Sequence, residues 1–414
     1  MLAARDGRLL LAAQSLDALA IGVAGVALPW LVLKSGGSHG EAGAVYALTV
    51  LPYVVFGLLA GAVGDRFPRR TVMLSAHACQ AAVAAVIPVW TIAGAPPLAA
   101  ILPLAFAIGS ARVFADAGTF GAIASIVGVE RFAEGQATVS AAWGIGLFAG
   151  PALGGLLVAT VGPGFALAAE AAACATAALL VAAIRRGLDS EVDEPPVGSV
   201  AAIADGVRFM LRDPGIATYT LVIVASNVAG AGAYALMVPL LRDHVGLPAG
   251  KVGAIMAVGE LSAVAAAVMV GPLSRRFGPN RLFVGCLTVA ALATVALGLA
   301  TSFGTAAVAT IPFLLVSSVG SIVAIGQRQR RAPAELQSRV GIAGRMAALG
   351  AVALGSAIAS GLSGPLGLRG VYLAMGAAAL TVVLLSAPFV LRLDERTDAS
   401  PGARVRAGTS SSAP

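Results

Sequence analysis

Twelve apolar runs, each near the length needed to cross a bilayer, constrain this chain more than any other feature. A helix rises 1.5 Å per residue, so roughly 20 apolar residues span the hydrocarbon core. The first six runs fall at about Leu9–Leu33, Glu41–Val63, Thr71–Gly94, Leu98–Gly118, Thr138–Val161 and Gly164–Ile184. The second six fall at about Ile216–Leu241, Val252–Leu273, Leu282–Thr301, Thr305–Ile325, Val340–Leu362 and Gly370–Leu391. Lipid offers backbone N–H and C=O groups no partner, so such runs must be helical. The expected class is an all-α membrane protein. Composition agrees: 58% of the 414 residues are hydrophobic and 11% charged, against about 25% charged in soluble domains. The first run is long and lacks a persuasive cleavage site, so it reads as a retained span rather than a signal peptide.

Basic residues orient the chain. An inside N-terminus with twelve spans puts Lys34, Arg242, Lys251 and Arg369 outside, and the other 23 of the 27 Lys+Arg inside or at inner helix ends. Cytoplasmic loops carry such an excess, so both termini are expected in the cytoplasm, with the chain in the cell (inner) membrane. The same asymmetry accounts for the net charge of +7 without nucleic acid. Residues 1–184 and 216–392 are expected to form two six-helix bundles, joined by a linker over 185–215. Within it, 187–198 is acidic and Pro-bearing, and so reads as exposed. In 199–213, Val200, Ile203, Val207, Met210 and Leu211 recur at helical spacing opposite Asp205, Arg208 and Arg212, which predicts an amphipathic helix at the inner membrane surface. Residues 393–414, rich in Ser, Gly, Ala and charge, read as a disordered tail.

The connection between the second and third runs is the most distinctive. Gly61-Ala62-Val63-Gly64-Asp65-Arg66-Phe67-Pro68-Arg69-Arg70 crowds charges between two hydrophobic spans. Its pattern Gly-x-x-x-Asp-Arg-x-x-Arg-Arg resembles the signature loop of the major facilitator superfamily, with Pro68 in place of the usual Gly. A second copy lies at an offset of 210, where Gly271 matches Gly61, Arg276 matches Arg66 and Phe277 matches Phe67. Arg275 replaces Asp65, so the copies differ electrostatically. Glu130–Gly155 and Glu335–Gly361 likewise each run from a charged loop into a Gly/Ala-rich helix. The resemblance implies two pseudo-symmetric bundles that rock about a midplane site. It also implies a gate in which Asp65, Arg66, Arg70 and, in the second copy, Arg276 take part. Arg66 would meet Asp116 at the inner end of span 4, and Asp65 would face the start of span 11.

Span 5 carries Gly146, Gly150, Pro151, Gly154 and Gly155, similar to the motif of the superfamily's drug:proton antiporters. Pro151 removes a backbone donor and bends the helix, while glycines let another helix approach closely. A generic packing seam would look the same. Asp205-Gly206-Val207-Arg208-Phe209 and 333–340 (PAELQSRV) resemble the branch holding macrolide-type efflux pumps and siderophore exporters.

Ionisable residues inside spans are functional candidates by default. Asp17 lies roughly 12 Å into span 1, and Arg112 sits at similar depth in antiparallel span 4, so the two are a plausible pair. Arg112 also resembles the family's span-4 arginine linked to proton coupling, although the Gln-x-Gly that usually follows is replaced around Ala115 and Asp116. Glu260 falls mid-span in span 8, and Glu170 near the outer end of span 6. A dry carboxyl can hold a proton and release it when water arrives, which is the chemistry an antiporter needs. Interfacial snorkelling or helix-to-helix hydrogen bonding are the structural alternatives. Gln14, Asn227 and Trp143 are candidates for the substrate cavity. Cys79, Cys174 and Cys286 lack paired or metal-ligand spacing and read as small core residues; His39, His77 and His244 show no ligand pattern. No Walker loop, nucleophile elbow or zinc pattern occurs, so neither an enzyme nor a cofactor is expected.

These features converge on a monomeric secondary transporter exporting a small hydrophobic or amphipathic compound in exchange for protons. Its expected partners are that compound, protons and the bilayer, with no nucleic acid. An importer of a small metabolite on the same fold, and a non-transporting receptor or scaffold, are the rivals.

Overall fold

The computed structural model describes residues 5–94, 96–185, 187–188, 200–333 and 336–393. Eleven of its helices are long and apolar enough to cross a membrane. The last of these covers two of the expected spans. Residues 337–391 run as helix except at Gly367, whose φ of 65° breaks the rod in two. Only a residue without Cβ adopts that backbone at little cost, so a single glycine makes the turn expected over 363–369.

The first bundle contains α1 (Arg5–Lys34), α2 (His39–Arg66), α3 (Arg69–Ala93), α4 (Leu98–Val127), α5 (Phe132–Thr160) and α6 (Pro163–Ala182). Then come α7 (Val200–Arg212), α8 (Pro214–Ala235), α9 (Ala249–Phe277), α10 (Pro279–Gly298), α11 (Phe303–Arg331), α12 (337–366) and α13 (368–391). Local sequence sets several starts. Ser38 and Glu41 form a reciprocal capping box at α2, and Ser302 with Thr305 repeats it at α11. Asp213 accepts from Ile216 N at 2.7 Å to cap α8, with Pro214 in the first turn. Each such cap satisfies a backbone donor that the helix itself leaves open.

Two expectations change. Span 7 does not run straight to Leu241: α8 stops at Ala235, and a short turn (Met237–Pro239) leads into a π-helical stretch (Leu240–His244). Cys79 is exposed, whereas Cys174 and Cys286 are buried as expected. It lines an apolar groove of about 680 Å³ walled by Phe56, Phe67, Phe106 and Phe114. The two signature loops also turn differently. Gly278 takes φ 77°, while Phe67 and Pro68 take an extended path that a proline permits.

The linker helix α7 docks on protein. Met210 is buried with Ile216, Ala332, Val340 and Ala343, Asp205 pairs with Arg339 of α12 at 3.3 Å, and Val207 and Leu211 stay exposed. The acidic linker from 189 to 199, Ala334, Glu335 and the tail from 394 lie outside the described residues.

Packing follows the small residues. Along α5, Gly146, Gly150 and Gly154 face α1, where a Cβ would stand 2.1 Å from Ser15 O, 2.6 Å from Leu19 O and 3.0 Å from Val23. The related seam in the second bundle joins α8 and α12, where a Cβ on Gly355 would meet Val228 O at 2.0 Å. Between bundles, Gly155 of α5 meets Gly253 of α9 backbone to backbone, and Gly40 of α2 meets Ser360 of α12.

These bundle-to-bundle approaches share one end of the molecule. We call it the distal face; the face with the start of α1, the end of α13 and the two signature loops is the basic face. At the distal face His39 of α2 pairs with Asp243 at 3.1 Å, and Arg242 lies 5.1 Å above the ring of Trp30 in α1.

The α1–α5 seam gives a direct test. A Cβ on Gly22 would lie 2.5 Å from Pro151 Cδ, whereas one on Gly25 meets nothing within 4 Å. Gly22→Ala is expected to destabilise by about 1–3 kcal/mol through overpacking. Gly25→Ala should leave the melting temperature of the detergent-solubilised protein unchanged or slightly raised.

Candidate functional site

Inside the first bundle, an otherwise apolar packing encloses a knot of polar side chains. Asp17 (2% exposed) enters from α1, His77 and Gln80 (both 0%) from α3, Arg112 (7%) from α4, and Glu170 (0%) from α6. Neighbouring α1 positions point elsewhere: Ser15 and Leu19 to α5, and Gln14 to α4, where it donates to Thr119 Oγ1 at 3.1 Å. A rotation of 100° per residue therefore sends Asp17 into the space between α3, α4 and α6.

The expected Asp17–Arg112 pair takes a looser form. Arg112 interacts electrostatically with Asp17, Glu170 and Tyr53, yet no ion pair with either carboxylate closes within 4.0 Å. The nearest ionisable neighbour of Asp17 is His77, Nδ1 to Oδ1 at 3.8 Å. His77 was missed because a lone histidine on α3 shows no ligand spacing in sequence. Its significance depends wholly on which helix it faces.

The gating candidates are arranged as follows. Arg66 is exposed, Arg70 donates to the Ala182 carbonyl, and Arg276 is exposed beside Phe277. The side chain of Asp65 lies outside the described residues. Asp116 does not meet Arg66 in this conformation; it accepts from Tyr53 OH at 2.6 Å and feels Arg345 of α12 across the molecule. Arg66 and Asp116 both belong to the first bundle, so their separation concerns α2 and α4 rather than the bundle seam, which runs from the distal face down to Gly144 and Val264. Arg345 is another residue that sequence reasoning passed over.

Glu260 of α9 is half-buried and accepts from Tyr234 OH at 3.0 Å. Tyr234 in turn packs on Tyr46 of α2, ring centroids 5.1 Å apart, so this carboxyl is tied to the seam between bundles. Of the cavity candidates, Asn227 and Trp143 are half-buried, while Gln14 is 5% exposed and turned into its own bundle. Among the described residues no His, Cys, Asp and Glu group is arranged to hold a metal.

The polar knot makes a non-additive prediction. Removing one member of a buried charge group leaves its partners uncompensated, at about 3–5 kcal/mol. Arg112→Leu should therefore lower thermal stability sharply, and adding Asp17→Asn should restore part of the loss. Additive losses in melting experiments would show that the two groups do not sense each other.

Comparison with known proteins places this geometry. The profile of the Major Facilitator Superfamily matches residues 10–329. The multidrug efflux pump Tap of Mycobacterium tuberculosis (strain ATCC 25618 / H37Rv) is 34% identical over 213 residues, 49% of this chain and 50% of that protein. The chain thus spans about half the length of these curated relatives. Tap of Mycolicibacterium fortuitum is 27% identical over 393 residues, 90% and 93% of the two chains. The class C tetracycline resistance protein of Escherichia coli is 27% identical over 308 residues, 69% and 72%. In fold, the nucleoside transporter NupG superposes with a TM-score of 0.77 at 12% identity, covering 92% of this chain and 98% of that one. With twelve spans in two related bundles and a profile match over most of its length, the chain belongs to the major facilitator superfamily of membrane transporters.

Proposed function

We propose that the protein exports small hydrophobic or amphipathic compounds in exchange for protons, by alternating access. The observation that carries this reading is the closed knot of two carboxyls, an arginine and a histidine inside a lipid-embedded bundle. Ionisable groups at that depth are costly, and proton relays in pumps and transporters are built from such groups. Relatives named as a multidrug efflux pump and a tetracycline resistance protein support export and a drug-like cargo.

The chain sits in the cell membrane as a monomer, with its basic face and both termini in the cytoplasm. With the basic face inside, the distal-face contacts serve as the outer gate, and they must be closed in the state that loads cargo from the cytoplasm. A proton arriving from outside on a carboxyl favours the inward-open state, and its release inside completes the cycle. Residues 1–184 and 216–392 act as the rocking bodies.

Two experiments test the reading. Purified protein in liposomes, with tetracycline and ethidium as probes, should concentrate at least one probe against its gradient when a pH difference is imposed. Asp17→Asn or Glu260→Gln should cut this accumulation about tenfold or more, yet leave equilibration without a pH difference measurable. A wild type indifferent to the pH difference removes the antiport mechanism and leaves facilitated diffusion. If both variants couple like wild type, these carboxyls are structural.

The second experiment concerns the signature loop. In the outward-open state Arg66 meets Asp116 and Asp65 faces the start of α12, latching the basic face. Asp65→Asn is expected to reduce transport several-fold at unchanged protein level, while Arg275→Ala in the second copy has little effect. Equal sensitivity of the two loops, read as transport per molecule, would refute the latch.

A further inference from the structure

His77 is fully buried in α3, which packs against α4 and α6 and touches α2. The titratable or charged groups around its pocket are Asp17 of α1, Tyr53 of α2, Arg112 and Asp116 of α4, and Glu170 and Cys174 of α6. Asp116 is half-buried and already holds the Tyr53 hydroxyl, so it lies at the pocket's edge. The closed interior therefore contains two carboxyls, one guanidinium and one imidazole, with the Gln80 amide beside them.

Two features of this interior need explanation. With both carboxyls ionised and the ring neutral, these four groups carry one net negative charge, to which Asp116 at the edge adds when ionised, and a dry pocket disfavours any uncompensated charge. A proton reduces that excess. In addition, Asp17 Oδ1, both His77 nitrogens, both Gln80 amide atoms, Arg112 Nε and Nη2 and both Glu170 oxygens are buried without a hydrogen-bond partner. Unsatisfied groups in such number are uncommon in a settled core. They fit a pocket whose hydrogen bonds rearrange as a proton moves.

We propose that His77 is the second proton acceptor of this pocket, taking the proton that the Asp17 carboxyl receives. The proposal rests on the antiport reading above and adds to it the residue that shares the proton. In the transfer the Asp17 O–H bond breaks, a bond forms at His77 Nδ1, and the products are an aspartate and an imidazolium; no other atom changes hands. The present gap of 3.8 Å exceeds the usual hydrogen-bond range of about 2.7–3.2 Å. Transfer therefore requires Asp17 to turn toward the ring, or one water to join them.

The presence of the proton, on either residue, has a mechanical consequence. An imidazolium beside Asp17 repels Arg112 and satisfies that aspartate, which frees the guanidinium to pair with Glu170. With the proton on Asp17, Asp17 is neutral and Arg112 again favours Glu170. With the pocket deprotonated, both carboxylates compete for Arg112. Loading and unloading one proton thus changes the bonds between α4 and its neighbours α1 and α6. Asp17 does not face the bundle interface, so the signal to the cargo passes through α4.

The chain's three histidines make the proposal directly measurable. Full-length protein labelled with 15N-histidine in lipid nanodiscs is titrated between about pH 5 and 8, the interval in which histidines commonly change charge. His39, paired with Asp243, and exposed His244 serve as internal references. A pH-dependent His77 ring signal that Asp17→Asn abolishes, with both reference signals unmoved, is the expected result. A His77 signal fixed in one form in wild type, or one unaffected by Asp17→Asn, overturns the proposal.

Transport supplies the second arm. His77→Gln keeps a hydrogen-bonding side chain but cannot carry the proton; His77→Asn serves if the first variant is not recovered folded. The expected variant has a wild-type melting temperature and equilibrates tetracycline or ethidium without a gradient, but loses about tenfold in pH-driven accumulation. A wild-type pH profile in the variant shows His77 to be a packing residue and leaves antiport standing. A wild type indifferent to the gradient overturns antiport and the transport role of His77 together, while the ring titration still decides whether the proton is shared.

Discussion

Close approach of backbone to backbone is the interaction on which this structure depends. In lipid the hydrophobic effect gives helices no reason to associate, since lipid tails are as apolar as leucine. What remains is packing, and packing is tightest where side chains are absent. The single helix α5 shows both uses of this rule. Gly146, Gly150 and Gly154 seat it against α1 inside its bundle, and the next residue, Gly155, turns it toward Gly253 in the other bundle. One glycine-rich motif therefore packs its own bundle and supplies part of the surface that faces the other bundle.

The same economy of side chains bounds the chemistry. Helices this apolar leave few polar groups to arrange, and most of the buried ones in the first bundle are Asp17, His77, Gln80, Arg112 and Glu170. The second bundle places its mid-span carboxyl differently. Glu260 is half-buried and held by Tyr234 at a seam between bundles. Asp17 is enclosed in a bundle interior, while Glu260 borders the seam between the bundles. Under the proposed mechanism the first stores a proton and the second senses the conformation.

The distal face adds a different kind of contact. His39–Asp243 and Arg242–Trp30 are solvent-accessible pairings at the rim of the closed seam. Exposed ion pairs contribute about 0–1 kcal/mol each. Contacts this weak join the bundles without trapping them, which suits the alternating access proposed above. The loop arginines show the complementary arrangement at the basic face, where Arg66 is exposed and Arg70 is held by the end of α6.

Much of this architecture was legible in the chain. Apolar run length sets the spans, because lipid admits only segments that satisfy their own backbone. The spaced glycines of α5 marked a packing seam before any partner was known, whereas the caps at Ser38, Asp213 and Ser302 were found in the structure. The partners were another matter. On a helix apolar around its whole circumference no stripe distinguishes core from lipid, so the sequence could not say that Asp17 turns toward His77, that Gln14 turns to Thr119, or that Glu260 meets Tyr234. Those contacts join residues on separate helices, and only the tertiary packing fixes their rotations about the helix axes. Gly367 illustrates the boundary between the two. Its sequence context suggested a loop of several residues, but the backbone turns at this one glycine, whose φ of 65° costs little without a Cβ.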